Sequence, residues 1–181
     1  ARDHVEVEIP QKARHKVQKC RQILEDLIME KKVVYGVTTG FGALGSTVVS
    51  PEHLRELQTN LIRSHSAGVG EALDKDVTRA LMLLRANTLS KGNSGVRLET
   101  LETLVQMINK GVHPIIPEKG SVGASGDLAP LSHMALVMIG EGEAEYKGEK
   151  MSGKEAMRKA GIRPVELDSK EGIALNNGTQ M

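Results

Sequence analysis

Apolar residues recur at three- and four-residue spacing in one segment after another of this chain. Val17, Cys20, Leu24, Leu27 and Ile28 share a face of HKVQKCRQILEDLIMEKK, the spacing of an amphipathic helix. Leu54, Leu57 and Leu61 repeat the pattern after Ser50-Pro51, where serine can cap and proline suits the first turn. DKDVTRALMLLRANTLSKG is acidic at its start and basic at its end, as the helix dipole prefers. LETLETLVQMINKG closes on Gly111, LAPLSHMALVMIG follows, and SGKEAMRKAG pairs Ser152 with Glu155 at capping-box spacing before Gly161. The aromatics are Tyr35, Phe41 and Tyr146, so the core must be built from Leu, Ile, Val, Met and Ala. Repeats, low-complexity tracts and linkers are missing from the pattern. The expectation is a single, mainly α domain over residues 1–181 with small extended pieces.

The interruptions are equally specific. VVYGVTTGFGALGS reads as a strand or extended piece entering a loop. HPIIPEKG carries two prolines and cannot be a helix interior. EAEYKGEKM alternates around Lys147-Gly148, a hairpin pattern. Net charge is +1, which gives no basic footprint for nucleic acid or a membrane surface. No apolar run is long enough to span a bilayer, and ARDHVEVE does not resemble a signal peptide. Cys20 has no second cysteine to pair with and fits a reducing compartment, so a cytoplasmic location is expected. HxxxH and CxxC spacings do not occur, so no metal site is expected. The ends, Ala1 and Met181, read as those of a segment of a longer chain.

The stretch GSVGASGDLAP, residues 120–130, is nearly free of side chains yet lies between apolar segments. It matches neither the P-loop nor the dinucleotide pattern: glycines fall at 120, 123 and 126, the preceding segment is proline-broken and no lysine follows. Three readings remain open from the residues themselves. The stretch is a tight turn before a buried helix. It is an anion site at the N-terminus of that helix. Or it is a reactive tripeptide. The unhindered amide nitrogen of Gly126 can attack the carbonyl of Ala124, given a permissive backbone. Two dehydrations, the second at Ser125, then leave a methylidene-imidazolone, an electrophile made from the chain itself.

Taken with its flanks, GSVGASGDLAPLSHMALVMIGEG resembles the signature of the aromatic amino acid ammonia-lyases and aminomutases, in which Ala-Ser-Gly becomes that prosthetic group. YGVTTGFG, LQTNLIRSHSAGVGE and KEGIALNNGTQ resemble, in order, the tyrosine loop, the substrate-selectivity helix and the asparagine segment of the same family. The likeness runs from about residue 33 to the end of the chain. It implies the N-terminal domain of the ammonia-lyase fold, without the helical bundle of the later half. It also implies Ala124, Ser125 and Gly126 as the source of the electrophile, with no external cofactor, and Tyr35 as the base that removes the substrate's β-proton. A phenol ionises only near pH ~10, so that role requires surroundings that favour phenolate. Ser64 and His65 would shape the pocket and hold the substrate ring, and Asn177 would orient its polar end.

A Ser-His pair is typical of the histidine-specific branch, and NGTQ and LLRANTLSKG lean the same way; some tyrosine aminomutases carry Ser-His too. Against the family pattern, Thr38 replaces an asparagine and Asn176 an aliphatic residue. The missing later half would supply further site residues, among them an arginine for the substrate carboxylate. The family's assembly is a homotetramer whose sites draw on three subunits. A fragment that keeps the fold without catalysis is the alternative of another class. His133 and His113 read as capping or packing residues.

Overall fold

The computed structural model describes all residues except His4, Ala43, Leu44, Ser46, Val122, Ala124 and 179–181, with the side chains of Pro51 and Glu52 also left undescribed. Seven helices dominate the described residues: α1 (Gln11–Met29), α2 (Pro51–His65), α3 (Lys75–Ser90), α4 (Leu98–Lys110), α5 (Ala129–Met138), α6 (Gly153–Lys159) and α7 (Glu171–Asn176). Two small antiparallel sheets fill the gaps. Strands β1 (Val69–Ala72) and β3 (Pro117–Lys119) pair alone, and β2 (Val112–Pro114), β4 (Glu143–Tyr146) and β5 (Glu149–Ser152) form the order β2-β4-β5.

The mainly α reading holds, and several local signals act as the sequence implies. Gly111 closes α4 in the left-handed region at φ 74°, and the Ser152 hydroxyl accepts from the Glu155 amide at 3.3 Å. Lys147 and Gly148 both take positive φ, 52° and 83°, which the tight turn joining β4 to β5 requires. Three details differ. Ser50 precedes α2, but its hydroxyl meets His53 Nδ1 at 2.8 Å instead of a backbone amide. The YGVTTG segment is a run of turns with one isolated bridge, Thr39 to Val48, because threonine hydroxyls satisfy its backbone locally and leave little for a neighbouring strand. The proline-broken HPIIPEKG contributes two three-residue strands, prolines being tolerated at their ends.

The core is aliphatic. Leu81, Met82, Leu89, Leu101, Leu104, Met107, Leu131, Met134, Met138 and Met157 lie in one buried cluster. α5 is its axis: residues 129–132, 134, 135, 137 and 138 are all buried. A helix buried on nearly every side needs neighbours all round, and α2, α6, α7 and β2 supply them. Because α2 and α7 also pack on each other, three helices that are distant in sequence meet in one cluster.

Candidate active site

Each expected site segment is attached to that three-helix cluster. Ser64 and His65 end α2, the Ala-Ser-Gly loop leads into α5, and Asn177 follows α7 directly.

The loop before α5 is closed by backbone. Gly123 and Gly126 exchange both amide-to-carbonyl hydrogen bonds, at 3.2 and 3.1 Å. Gly126 takes φ +84°, a conformation glycine adopts freely, and a Cβ there would meet nothing within 4 Å. The base of the loop is pinned by Asp127, whose Oδ1 accepts from the Ser121 and Ala129 amides, both at 3.0 Å. A Cβ on Gly120 would fall 2.0 Å from that carboxylate, so glycine is required for the approach. Ser125 is half-buried, while Ala124 lies outside the described residues.

Tyr35 is presented outward, 59% exposed, on a rigid turn. The Thr38 hydroxyl accepts from the Val34 amide at 2.9 Å and donates to the Lys32 carbonyl at 2.7 Å. Thr39 accepts from the Gly36 amide at 3.1 Å. Thr38, the departure from the family's asparagine, thus braces the turn that carries Tyr35. The phenol oxygen accepts from the Gly42 amide at 3.1 Å, which fixes where it sits. The ring meets Phe41 edge-on at 6.3 Å. Gly36 in the same turn packs close to Ile173 of α7, so this loop leans on the cluster.

His65 is half-buried. Its Nδ1 lies 2.9 Å from the Leu61 carbonyl and 3.0 Å from Ser64 Oγ, and Ser64 Oγ donates to the same carbonyl at 2.9 Å. A carbonyl can only accept, so the contact with Leu61 is a hydrogen bond when Nδ1 carries a proton. Ser64 therefore orients His65.

The side chains that fasten these pieces together were not among the expected site residues. Gln58 is fully buried on α2, and its Oε1 accepts from Gly172 and Ile173, the first amides of α7, at 2.9 and 3.4 Å. Glu171 is fully buried and accepts from the Arg97 and Asp168 amides, the Arg97 guanidinium and the Thr100 hydroxyl. Asn176, the other departure, is buried, and its Nδ2 donates to Ser132 Oγ of α5 at 3.2 Å. Its Oδ1 has no partner among the described residues. Arg85 on α3 donates to the Ala174 and Asn177 carbonyls. His133 of α5 accepts the Gly68 amide at 3.1 Å, and burial lowers its pKa, which keeps Nε2 available as an acceptor. A buried charge or amide inside an apolar run is the one sequence signal that could have flagged Arg85, Glu171 and Asn176; the Asp168 amide apart, the partners cited lie 44 to 92 residues away and leave no local trace.

Among the described residues, no hydrogen bond joins the side chains of Tyr35, Ser125, His65 and Asn177. No group of three or more His, Cys, Asp or Glu suited to a metal occurs among the described residues, and no described helix is long and apolar enough to cross a membrane.

The model of the family described as aromatic amino acid lyase matches residues 1–181. Histidine ammonia-lyase of Alkaliphilus oremlandii is 61% identical over 180 residues, covering 99% of this chain and 36% of the relative. Among solved structures, Pantoea agglomerans phenylalanine aminomutase superposes with a TM-score of 0.94 at 43% identity, covering 99% of this chain and 34% of its own. Histidine ammonia-lyase from Trypanosoma cruzi gives a TM-score of 0.91 at 42% identity, with the same coverage. This chain spans about a third of the length of the curated relatives it matches.

Proposed function

The chain belongs to the aromatic amino acid lyase family, and from that premise we propose that it is the electrophile-bearing N-terminal part of a histidine ammonia-lyase, which eliminates ammonia from L-histidine to give trans-urocanate. The observation that carries the substrate choice is His65: the Leu61 carbonyl engages Nδ1, which leaves Nε2 as the ring nitrogen to hydrogen-bond an imidazole. A benzene ring offers it nothing.

The residues present fit the methylidene-imidazolone. Gly123 and Gly126 pair through their backbones, Gly126 has open space and a permissive φ, and Asp127 holds the base of the loop. Ala124, Ser125 and Gly126 would form the group with loss of two waters. When formed, it supplies an electrophilic carbon for the substrate's amino group and makes that nitrogen a better leaving group. The chain's own residues do the rest. Tyr35 Oη, held in place by the Gly42 amide, takes the β-proton. His65, oriented by Ser64, holds the imidazole, and Asn177, exposed beyond α7, orients the polar end. The missing C-terminal part would complete the site and a homotetramer, in the cytoplasm.

The test is the ratio of kcat/KM for histidine to that for phenylalanine in the full-length protein, compared with His65→Leu. A polar group left unpaired in a buried site costs ~1–3 kcal/mol, and hydrogen-bonding pockets reject analogues strongly. The ratio is expected to fall roughly ten- to a hundredfold. An unmoved ratio makes His65 a structural helix residue and favours a tyrosine or phenylalanine enzyme of the same family. Intact mass checks the electrophile: two waters fewer than the sequence in the wild type, and the second of these losses, the one at the Ser125 hydroxyl, abolished in Ser125→Ala.

A further inference from the structure

We propose that Arg85 is a positioning residue for Asn177: its guanidinium, buried on α3, clamps the Ala174 carbonyl of α7 and the carbonyl of Asn177 itself, and fixes the backbone from which the Asn177 side chain projects. The inference rests on the role given to Asn177 above.

α7 has six residues, too short to be stable by itself. Its final carbonyls have no helical partners. The common remedy is a left-handed glycine just past the end. Here Asn177 follows in an extended conformation, φ −86° and ψ 103°. The carbonyls are met from outside instead: Arg85 Nη2 donates to Asn177 O at 2.9 Å and also to Ala174 O. A cation at a helix C-terminus is favoured by the dipole.

Arg85 is an expensive choice for a position that is only 2% exposed. Desolvation pushes its pKa down to about 10. A methionine of similar shape would fill the core without that penalty. Two other buried arginines fasten carbonyls in the same manner: Arg79 bonds Ile108 O at 2.9 Å, and Arg21 bonds Ser169 O at 3.1 Å. Of the three, Arg85 is the one that grips the residue assigned to the substrate. On the opposite side, Asn176 fastens the same turn to Ser132 of α5. Asn177 is thus held between α3 and the helix that the Ala-Ser-Gly loop enters. The planar fork suits this task, and a lysine's single ammonium does not reproduce it.

The test is a double-mutant cycle in the full-length protein with Arg85→Met, Asn177→Ala and the double variant, read as kcat/KM for L-histidine together with Tm. Arg85→Met is expected to lower kcat/KM roughly ten- to a hundredfold, the scale of losing a charged donor, while Tm stays level or rises. In the Asn177→Ala background the same change adds no further loss, because a residue acting only through another has nothing left to act on. Losses that multiply, or a silent Arg85→Met, overturn the proposal. A silent Asn177→Ala overturns the substrate role of Asn177 itself, and the clamp's purpose with it. If Arg85→Met does not fold, Arg85→Lys keeps the charge, loses the fork and is scored by the same cycle.

Discussion

Gly172 is the point where α7 touches α2, and replacing it by alanine tests whether that contact sets the site's geometry. A Cβ on Gly172 would lie 2.6 Å from the Gln58 carbonyl oxygen and 3.0 Å from both Gln58 Cα and Oε1. Non-bonded heavy atoms prefer about 3.5 Å or more. The difference, 3.5 − 2.6, asks α7 to retreat by ~0.9 Å. Two of the three atoms are backbone of α2, so no rotamer change relieves the clash. Retreat stretches the Gly172 and Ile173 amide bonds to Gln58 Oε1, now 2.9 and 3.4 Å. Each is worth ~1 kcal/mol, and overpacking adds ~1–3 kcal/mol. Alanine's better helix propensity returns ~1 kcal/mol. The net expectation is a loss of ~2–4 kcal/mol, which for a domain of this size lowers Tm by roughly 2–4 °C per kcal/mol. Thermal unfolding of Gly172→Ala measures it. A Tm that is unchanged or raised, the usual result for glycine-to-alanine in a helix, would refute the close-contact argument. In the full-length protein kcat/KM should fall as well, since α7 carries Asn177.

Asn176→Leu removes a buried oxygen that has no partner among the described residues, while Ser132 Oγ keeps its bond to the Leu128 carbonyl. Stability should hold or rise by up to ~2 kcal/mol; a clear drop in urea-unfolding midpoint would mean that the Asn176–Ser132 bond dominates. Glu171→Gln places a donor among groups that already donate to it and should cost ~3–5 kcal/mol, with Arg97 left short of its acid; a loss below about 1 kcal/mol would class the pair as a surface-type contact. His133 has its pKa lowered by burial, so the unfolded chain binds a proton first as pH falls. Its contribution is complete above the unfolded value near 6.5 and is lost as pH drops toward and through the folded value. His133→Gln should flatten the slope of stability against pH in that window, and an unchanged slope would assign it to other groups.

What the sequence determined by itself is local. Helical spacing, Gly111, Ser152 with Glu155, and Lys147-Gly148 act through neighbours a few residues away, so the α-rich character and the hairpin were legible. The candidate chemistry was legible for a different reason: a tripeptide with an unhindered amide is reactive because of its covalent composition. The short α7 was not read as a helix. Six residues containing a glycine and an asparagine carry little propensity of their own, and the helix exists because it packs against α2 and α5, with Gln58 meeting the amides of its first turn. Strand β1 escaped for a similar reason, since four exposed residues pair only because β3 lies alongside. The contact of His65 with the Leu61 carbonyl, the bracing of Tyr35 by Thr38 and the fastening of Asn176 to Ser132 all needed coordinates. Only tertiary structure could decide them, because a hydrogen bond depends on distance and angle, and the helices that bring Gln58, Arg85 and Ser132 to α7 are joined by packing rather than by chain.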